Sequence, residues 1–400
     1  MRRLTLGSYL KEWRSNREKV LGWFDETVTG YKRAVAVTWQ TSVAQLTKPG
    51  RRLLERLAFL APEPVPEFLL EVTLSGAENE NLYKAFTDLA TYSLVTSDAG
   101  SPSFLVHRLV QDVTRRSIKG GLRRQRLQEA LNWIDTTIDQ NPRDVRNWPR
   151  IEPLIAHARA VTGYGDNAGI AAPTFRLMNE VAAFLDTKAL YPEAEPLMRR
   201  ALAIIEAELT PQHPHVATAL SNLASLLQDT GRMIEAEPLI RRALVIDEGH
   251  FGPDHPNVAI QLNNLASLLH DMGRHAEAEP LKRRALSIDE TKLGPLHPSV
   301  AIRLNNLASL LLDTGRASEA EPLLRRALEI DEEHYGLDHP EVAYELSNLA
   351  AVLYQTSRST EAVTHALRAA KILEKHYGVN HPQTAHARAS LQYFTKKRDQ

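Results

Sequence analysis

Residues 256–298 read PNVAIQLNNLASLLHDMGRHAEAEPLKRRALSIDETKLGPLHP, and this stretch contains two apolar-striped segments separated by Gly273. Apolar residues in each segment recur at steps of three and four, the period of a helix with one buried face. Proline begins the first helix, where its missing N–H is harmless, and Gly273 ends it. The second helix is predicted over about 275–291. The predicted buried positions are Val258, Leu262, Leu265, Ala266 and Leu269 in the first helix, and Ala278, Leu281, Ala285, Leu286 and Ile288 in the second.

This helix pair is repeated along the chain with a fixed period of 42 residues. The sequence His-Pro recurs at His213, His255, His297, His339 and His381. The phrases EAEPL, RRAL and NLA recur between these marks at the same spacing. One pair cannot bury its apolar face alone, so a fixed period of this kind predicts a stacked array. We predict an α-solenoid over residues 173–400, made of five helix pairs and a terminal capping helix over 382–396.

The repeated text resembles the tetratricopeptide repeat, in its kinesin-light-chain variety. The residues that fall at that motif's signature offsets are Leu262, Leu265, Ala266, Leu269, Gly273, Ala278 and Ala285. The period of 42 residues is longer than the usual 34. The resemblance implies a superhelix that binds a protein or peptide partner in its concave groove, which is lined by the first helix of each pair.

The first helices carry columns of polar residues that the resemblance places in the groove. The asparagines are Asn222, Asn264, Asn306 and Asn348; the serines are Ser225, Ser267 and Ser309; the aspartates are Asp229, Asp271 and Asp313. An amide offers both a donor and an acceptor, which suits the backbone of a bound peptide. The alternative is that each asparagine ties neighbouring helices together. Carboxylate-clamp arrays carry Lys or Arg where this chain has Thr218, Ile260, Ile302 and Tyr344, so we do not expect a chaperone C-terminus as ligand.

The recurring histidines and charged pairs have simpler interpretations. We predict that each His-Pro fixes a loop and begins the next helix. Equivalent histidines would lie about one helix diameter apart, near 10 Å, which is too far for shared ligands of a metal ion. The Arg-Arg and Asp-Glu pairs are predicted to form solvated, ion-paired faces.

Residues 33–118 have a different pattern. Helices are predicted over 33–46, 49–59, 67–74, 82–92 and 107–118, with two short strands near 93–96 and 103–106 joined by a turn. Helices followed by a small hairpin favour a winged-helix-like domain. Residues 1–32 are interpreted as the tail of a preceding helical subdomain, and residues 119–172 as a helical linker. The chain is thus predicted to be mainly α, with this domain followed by the solenoid.

The amino-acid sequence of this segment resembles that of the domain that follows the NB-ARC module of STAND-type signal-transduction NTPases. In that family a histidine within the phrase Met-His-Asp contacts the β-phosphate of ADP. His107 matches it, with Val106 and Arg108 in place of the flanking Met and Asp. The resemblance implies that the chain is the C-terminal part of a longer NTPase of this kind, or a natural remnant of one. It also makes His107 a nucleotide sensor that acts only when a nucleotide-binding domain, absent from this sequence, lies against it. The alternative is a structural histidine at the strand–helix junction.

Composition and missing motifs argue against an enzyme. The 400 residues include no cysteine, which excludes disulfides and thiolate chemistry. No phosphate-binding G-x-x-x-x-G-K-[ST], H-E-x-x-H or G-x-S-x-G occurs. We therefore predict a non-enzymatic chain with no cofactor or metal. Without a long apolar run or a signal peptide, the sequence predicts a cytoplasmic protein that is not inserted in a membrane.

The charge distribution leaves one further function open. Residues 1–172 carry 24 basic and 19 acidic side chains, and residues 173–400 carry 24 and 30, so the net charges are +5 and −6. A basic run follows the hairpin and comprises Arg108, Arg115, Arg116, Lys119, Arg123, Arg124 and Arg126. Winged helices often bind DNA, so the alternative function is a transcriptional regulator that binds through this run. We regard DNA as an improbable partner, because no aromatic or amide base readers accompany it.

Overall fold

The computed structural model of the protein describes residues 41–72, 81–97 and 100–398. The chain divides into two compact units, Met1–Val181 and Ala182–Gln400. The tail predicted at 1–32 and most of the first predicted helix lie outside the described residues. The domain boundaries predicted from the sequence stay predictions.

The first unit begins with helices around a small antiparallel sheet. Its elements are a helical segment at 41–45, α1 (Lys48–Leu57), β1 (Val65–Pro66), a 3-10 helix (Glu67–Glu71), α2 (Leu82–Thr91), β2 (Val95–Ser97), β3 (Ser103–Val106) and α3 (Arg108–Ser117). The strand order is β1-β3-β2, so the predicted hairpin is present, with Val95 opposite Val106. The sequence did not predict β1, which is only two residues long and ends in a proline.

Three further helices complete this unit. They are α4 (Gly120–Thr137), the short α5 (Trp148–Ile151) and α6 (Ile155–Asn167), with single 3-10 turns between them. The indole N–H of Trp133 in α4 donates to the carbonyl of Leu69 at 2.9 Å, and Trp133 is fully buried. His157 of α6 lies 3.0 Å from the carbonyl of Pro64. Side chains of α4 and α6 therefore pack into the segment that contains the sheet.

The repeat array follows as a run of antiparallel helix pairs. The pairs are α7 (Ala172–Thr187) with α8 (Tyr191–Glu208), α9 (Pro214–Asp229) with α10 (Met233–Phe251), α11 (Pro256–Asp271) with α12 (His275–Leu293), α13 (Pro298–Asp313) with α14 (Ala317–Tyr335) and α15 (Pro340–Gln355) with α16 (Ser359–Tyr377); α17 (Pro382–Arg398) ends the run. Phe394 and Ala387 of α17 pack onto the fifth pair.

The His-Pro repeats begin the first helices, as predicted. His255 is the N-cap of α11, and its Nδ1 accepts the backbone N–H of Asn257 at 3.1 Å, while Pro256 occupies the first helical position. The same bond recurs at the other four histidines. At the far end Gly273 has φ +75°, a backbone conformation that glycine adopts without strain. The same local signals, His-Pro at the start and glycine at the end, set the bounds of α9, α11 and α13.

The interior of the pair α11–α12 follows the predicted stripe except at Leu281 and Leu286. The five predicted positions of α11 are buried, as are Ala278, Ala285 and Ile288 of α12. Leu281 and Leu286 are only half-buried, and Lys282 between them is buried instead. Leu286 packs against the next pair, which explains why its apolar character did not place it in its own core.

No helix in the described part of the chain has both the length and the apolar character needed to cross a membrane.

Candidate protein-binding groove

The asparagine column forms a chain of hydrogen bonds between successive first helices. The Nδ2 of Asn264 donates to Ser221 Oγ at 2.9 Å, and that of Asn306 donates to Asn263 Oδ1 at 3.0 Å. Asn348 donates in the same way to Asn305 Oδ1 at 2.8 Å. We call these three bonds the asparagine ladder. Each bond joins residues 43 apart, so each asparagine reaches back to the preceding repeat.

The ladder corresponds to the alternative that the sequence left open, in which asparagines tie neighbouring helices. All four predicted asparagines, including Asn222, are half-buried and not enclosed. Each tie uses one amide N–H, and the rest of the amide group stays at the edge of the first helices. The role of these asparagines in partner binding therefore stays a prediction. The sequence missed the acceptors Ser221, Asn263 and Asn305, which precede the column by one position.

Only some residues of the serine and aspartate columns form hydrogen bonds to a neighbouring repeat. Ser225, Ser267 and Ser309 are half-buried, while Asp229, Asp271 and Asp313 are exposed at the ends of their helices. Asp271 accepts a bond from Gln228 Nε2 at 2.5 Å, and Asp313 Oδ2 lies 2.8 Å from His270 Nε2. The arginines that follow these aspartates, Arg232, Arg274 and Arg316, pair with glutamates and not with the aspartates.

Each of these arginines bridges two repeats. Arg274 binds Glu277 on its own helix at 2.7 Å and Glu237 of the preceding repeat at 2.9 Å. The equivalent arginines Arg232, Arg316 and Arg358 bind the equivalent glutamates. The Arg-Arg pairs also bind glutamates at the surface, as Arg283 does with Glu279 at 2.7 Å and Arg284 with Glu248 at 3.0 Å, which confirms the predicted solvated, ion-paired face for these arginines. Because the pairs are largely exposed, each contributes little to stability by itself.

A second column of charged and polar residues is buried between the repeats. It includes Asp247, Asp289 and Asp331 of the Asp-Glu pairs, so the prediction that these aspartates are solvated is wrong. Asp247 accepts a bond from Gln261 at 2.9 Å, and Asp289 pairs with Arg303 at 2.9 Å. In the next repeat the corresponding residues are Asp331 and Glu345, and the two oxygens of Asp331 and the Oε2 of Glu345 have no hydrogen-bond partner. Burial, together with the charge of Glu341, raises the pKa of Asp331 to about 7. Comparing positions one period apart would have shown this column.

Lys282 is an isolated cation in the apolar stripe of α12. Its counterparts in the neighbouring repeats are Ile240 and Leu324, yet Lys282 is only 2% exposed. Its Nζ lies 3.4 Å from Ser267 Oγ. Burial lowers the pKa of Lys282 to about 8, although the carboxylates of Asp271 and Asp313 oppose this effect. The lysine thus connects the predicted serine and aspartate columns to the interior.

A cavity of about 340 Å³ opens between the first helices near the end of the array. Its walls come from α13, α15 and α17, and include the predicted site residues Asn306 and Asn348. Ile302 and Tyr344, two positions of the carboxylate-clamp comparison, also line it, together with Glu345. The structure therefore brings part of the predicted groove together around a space that a ligand side chain can enter.

The predicted nucleotide sensor lies in the first unit, at the start of α3. His107 is exposed and is the N-cap of this helix, since its Nδ1 accepts the backbone N–H of Leu109 at 3.2 Å. This arrangement is a structural role at the strand–helix junction. It leaves the sensing role of His107 as a prediction that requires a nucleotide-binding domain.

Much of the basic run after the hairpin is bonded within the unit. Arg126 pairs with Glu55 at 2.7 Å and with Glu129 at 2.9 Å. Arg115 donates to the carbonyl of Ala58 at 2.5 Å, and Arg124 donates to that of Gly169 at 3.1 Å. Guanidinium groups held in this way are less available for phosphates than the sequence alone implied.

Glu129 is the centre of this charged cluster. Burial pushes the pKa of Glu129 up, but hydrogen bonds from Arg52 and Arg56, with the charges of Arg56 and Arg126, lower it to about 2. The carboxylate is therefore ionised at neutral pH and holds three arginines around it. Among the described residues, no group of three or more acidic or histidine side chains is arranged to hold a metal ion.

The fold and this groove define an α-solenoid built from repeated helix pairs. The tetratricopeptide repeat family model matches residues 173–244, 215–291 and 259–333, and a second tetratricopeptide repeat model matches 343–383. The array belongs to the tetratricopeptide repeat family and is of the kind that serves as a protein-interaction scaffold. A family described as a domain of unknown function, DUF7779, matches residues 41–121.

Several solved structures resemble the chain. A putative kinesin light chain with nearly identical TPR-like repeats from Podosopora anserina is 24% identical, with a TM-score of 0.40, over 50% of this chain and 95% of that one. BtubC (BKLC) from P. vanneervenii is 26% identical, with a TM-score of 0.42, over 62% and 94%.

A further solved structure covers nearly the whole chain. It is a signal transduction ATPase with numerous domains (STAND) protein with a tetratricopeptide repeat sensor from Pyrococcus horikoshii. It is 13% identical, with a TM-score of 0.50, and the alignment covers 97% of this chain and 65% of that one. At this identity the likeness concerns the fold. No curated protein sequence gives a significant match.

Proposed function

We propose that the repeat array binds a protein partner along its first helices and that the chain is the sensor region of a signal-transduction NTPase. The cavity between α13, α15 and α17 carries this proposal, because it joins predicted groove residues from successive repeats around one space. The exposed apolar side chains of Ile260 and Ile302 extend the same face. Repeat arrays use such continuous faces to bind extended partners.

The sensor role rests on the first unit and on the STAND protein with a repeat sensor. The antiparallel hairpin β2–β3, followed directly by α3, supports the winged-helix interpretation of this unit. A nucleotide-binding domain would pack against this unit and approach His107 at its surface. In this proposal the array binds the partner, and the first unit transmits the effect of binding to the nucleotide-binding domain. The chain itself carries out no chemistry and works in the cytoplasm.

DNA binding through the basic run is the weaker alternative. Arg115, Arg124 and Arg126 already donate to groups of the same unit. Any association with DNA should therefore be independent of sequence and steeply lost with added salt. A footprint at one specific sequence in physiological salt would favour the regulator over the scaffold.

Photo-crosslinking from single sites of the full chain tests where the partner binds. A photoreactive side chain replaces Ile260, on the proposed binding face, or Val245, which is exposed on a second helix of the array. We expect the Ile260 probe to give a discrete protein adduct in cells and the Val245 probe to give none. Equal adducts from both sites would contradict binding along the first helices.

A further inference from the structure

One acidic group in the cavity near the end of the array has an unpaired oxygen. Glu345 lines the cavity, is only 1% exposed, and its Oε2 has no hydrogen-bond partner. Glu341 lines the same space, and none of the residues around it is Lys or Arg. An unpaired buried carboxyl group is costly, so a natural protein rarely keeps one without a use.

The preceding repeat has the missing cation. There Arg303 lies one period before Glu345 and pairs with Asp289 at 2.9 Å, with both side chains buried. At the corresponding places in the next repeat, Asp331 has an acid, Glu345, in the position of the arginine. One repeat further, the position of Arg303 is occupied by Ala387, which lines the cavity and is too short to fill it. Asp331 and Glu345 therefore occupy the places where the preceding repeat has an acid paired with an arginine.

We propose that this cavity binds the guanidinium group of an arginine side chain supplied by the protein partner. The inference rests on the proposed function, because it names the chemistry that the binding face recognises. The bound arginine would place its charged end against Glu345.

The walls of the cavity fit both parts of an arginine side chain. Ile302 provides apolar surface for the methylene stem, and the ring of Tyr344 offers a face to a cation. The amide groups of Asn306 and Asn348 supply further possible acceptors for a fork of N–H donors. The planar guanidinium suits this set better than an ammonium group, because its donors are fixed in direction.

The surroundings of Glu345 disfavour its carboxylate form. Burial, with the charges of Asp331 and Glu341, raises the pKa of Glu345 well above its usual range. All three groups are acids, so each disfavours ionisation of the others. A guanidinium in the cavity would reverse this effect and stabilise the carboxylate form of Glu345.

Two matched peptides test the proposal with the full chain. The probes are acetyl-Ala-Ala-Arg-Ala-Ala-amide and the same peptide with citrulline, which has nearly the same shape but no charge. Calorimetric titration at pH 8 should show the arginine peptide binding at least tenfold more tightly. Equal affinities for the two peptides would overturn the proposal.

Substitutions at the cavity locate the effect. Glu345→Gln should remove the preference for arginine, and Glu345→Arg should abolish binding because it fills the position as Arg303 does. Glu333→Gln, an exposed acid on α14 outside the cavity lining, should bind like the natural chain. Melting temperatures of all variants separate loss of binding from loss of fold. Unchanged arginine preference in folded Glu345→Gln would also overturn the proposal.

The two proposals can fail separately. A partner that crosslinks from Ile260, together with no arginine preference, would contradict only the arginine site. Absence of the partner adduct from Ile260 would contradict the proposed function itself.

Discussion

A polar side chain in this array can have a structural role or a binding role, and the sequence pattern alone does not distinguish the two. A recurring asparagine can contact a ligand or tie one helix to the next. The ladder of Asn264, Asn306 and Asn348 shows the tie, while the cavity places two of these residues beside an open space. Stability and affinity measurements therefore have to be made on the same variants.

The double variant Asn264→Ala with Asn306→Ala tests both tasks. Removing two ladder bonds leaves Ser221 and Asn263 without their donors, so the free energy of unfolding should fall by about 1–3 kcal/mol. If the amides also contact the partner, affinity in the folded fraction should fall by about 5- to 150-fold. Chemical denaturation and partner titration measure the two effects. A loss of stability with unchanged affinity would make the column purely structural.

Replacing the buried lysine with Lys282→Leu should stabilise the protein. The pKa of Lys282 is lowered from its ordinary 10.5 to about 8, mainly by burial. This shift corresponds to a destabilisation of about 3 kcal/mol at most when the lysine is charged. Because the folded-state pKa is below the unfolded one, this cost is fully present below pH 8 and disappears as the pH rises toward 10.5.

Urea unfolding at several pH values measures this effect. We expect the gain from Lys282→Leu to be largest near pH 7 and to shrink above pH 8. Lys292→Leu is the control, because Lys292 lies on the same helix but is exposed. A gain that does not depend on pH would mean that the pKa of Lys282 is the same in the folded and unfolded protein, so that burial does not destabilise its charged form.

At the level of the elements, the bounds of the repeated helices were predictable and their interior charges were not. His-Pro at the start of a helix and glycine after its end act through local hydrogen bonds and backbone conformation. The sequence of one repeat is therefore enough to predict the helix bounds. Lys282 and Asp331 are buried because of their contacts with other helices. The sequence of one repeat does not show these contacts, and a charged residue is ordinarily expected to be exposed. The candidate groove was predicted as columns, but its cavity depends on Ala387 being short.

The helix α6 contains two glycines whose replacement should have opposite effects. A Cβ at Gly165 would lie 2.3 Å from Thr174 Oγ1 and 3.0 Å from Leu131 Cδ1, whereas a Cβ at Gly163 would meet nothing within 4 Å. Gly165→Ala should therefore lower the free energy of unfolding by about 1–3 kcal/mol through overpacking. Gly163→Ala should raise it by about 0.5–1 kcal/mol because alanine favours the helix. Thermal unfolding of both variants decides this, and similar effects would contradict the close packing at Gly165.

At the scale of the repeat array, the loop before α17 contacts the end of α7. The Nε2 of His381, in the loop before α17, lies 3.0 Å from the carbonyl oxygen of Thr187 at the end of α7. These residues are 194 positions apart, and the same histidine caps α17 through its Nδ1. Rows of stacked repeats have few long-range contacts of this kind, because each repeat normally contacts only its neighbours. One histidine therefore connects the first and last pairs.

We predict that this contact holds the array in a closed arrangement and that His381→Ala loosens it. A single hydrogen bond contributes about 0.5–1.5 kcal/mol, so its loss should shift the closed population by several-fold without unfolding the repeats. The natural chain has no cysteine, which permits spin labels at Cys substitutions of Leu190 and Val379, both exposed. Pulsed electron–electron double resonance should give one narrow distribution of distances between the two labels in the otherwise natural chain and a broader distribution in His381→Ala. His297→Ala removes the same helix cap in the middle of the array and should leave the distance narrow. Equal distributions in all three proteins would show that neighbouring repeats, and not the contact at Thr187, determine the curvature of the array.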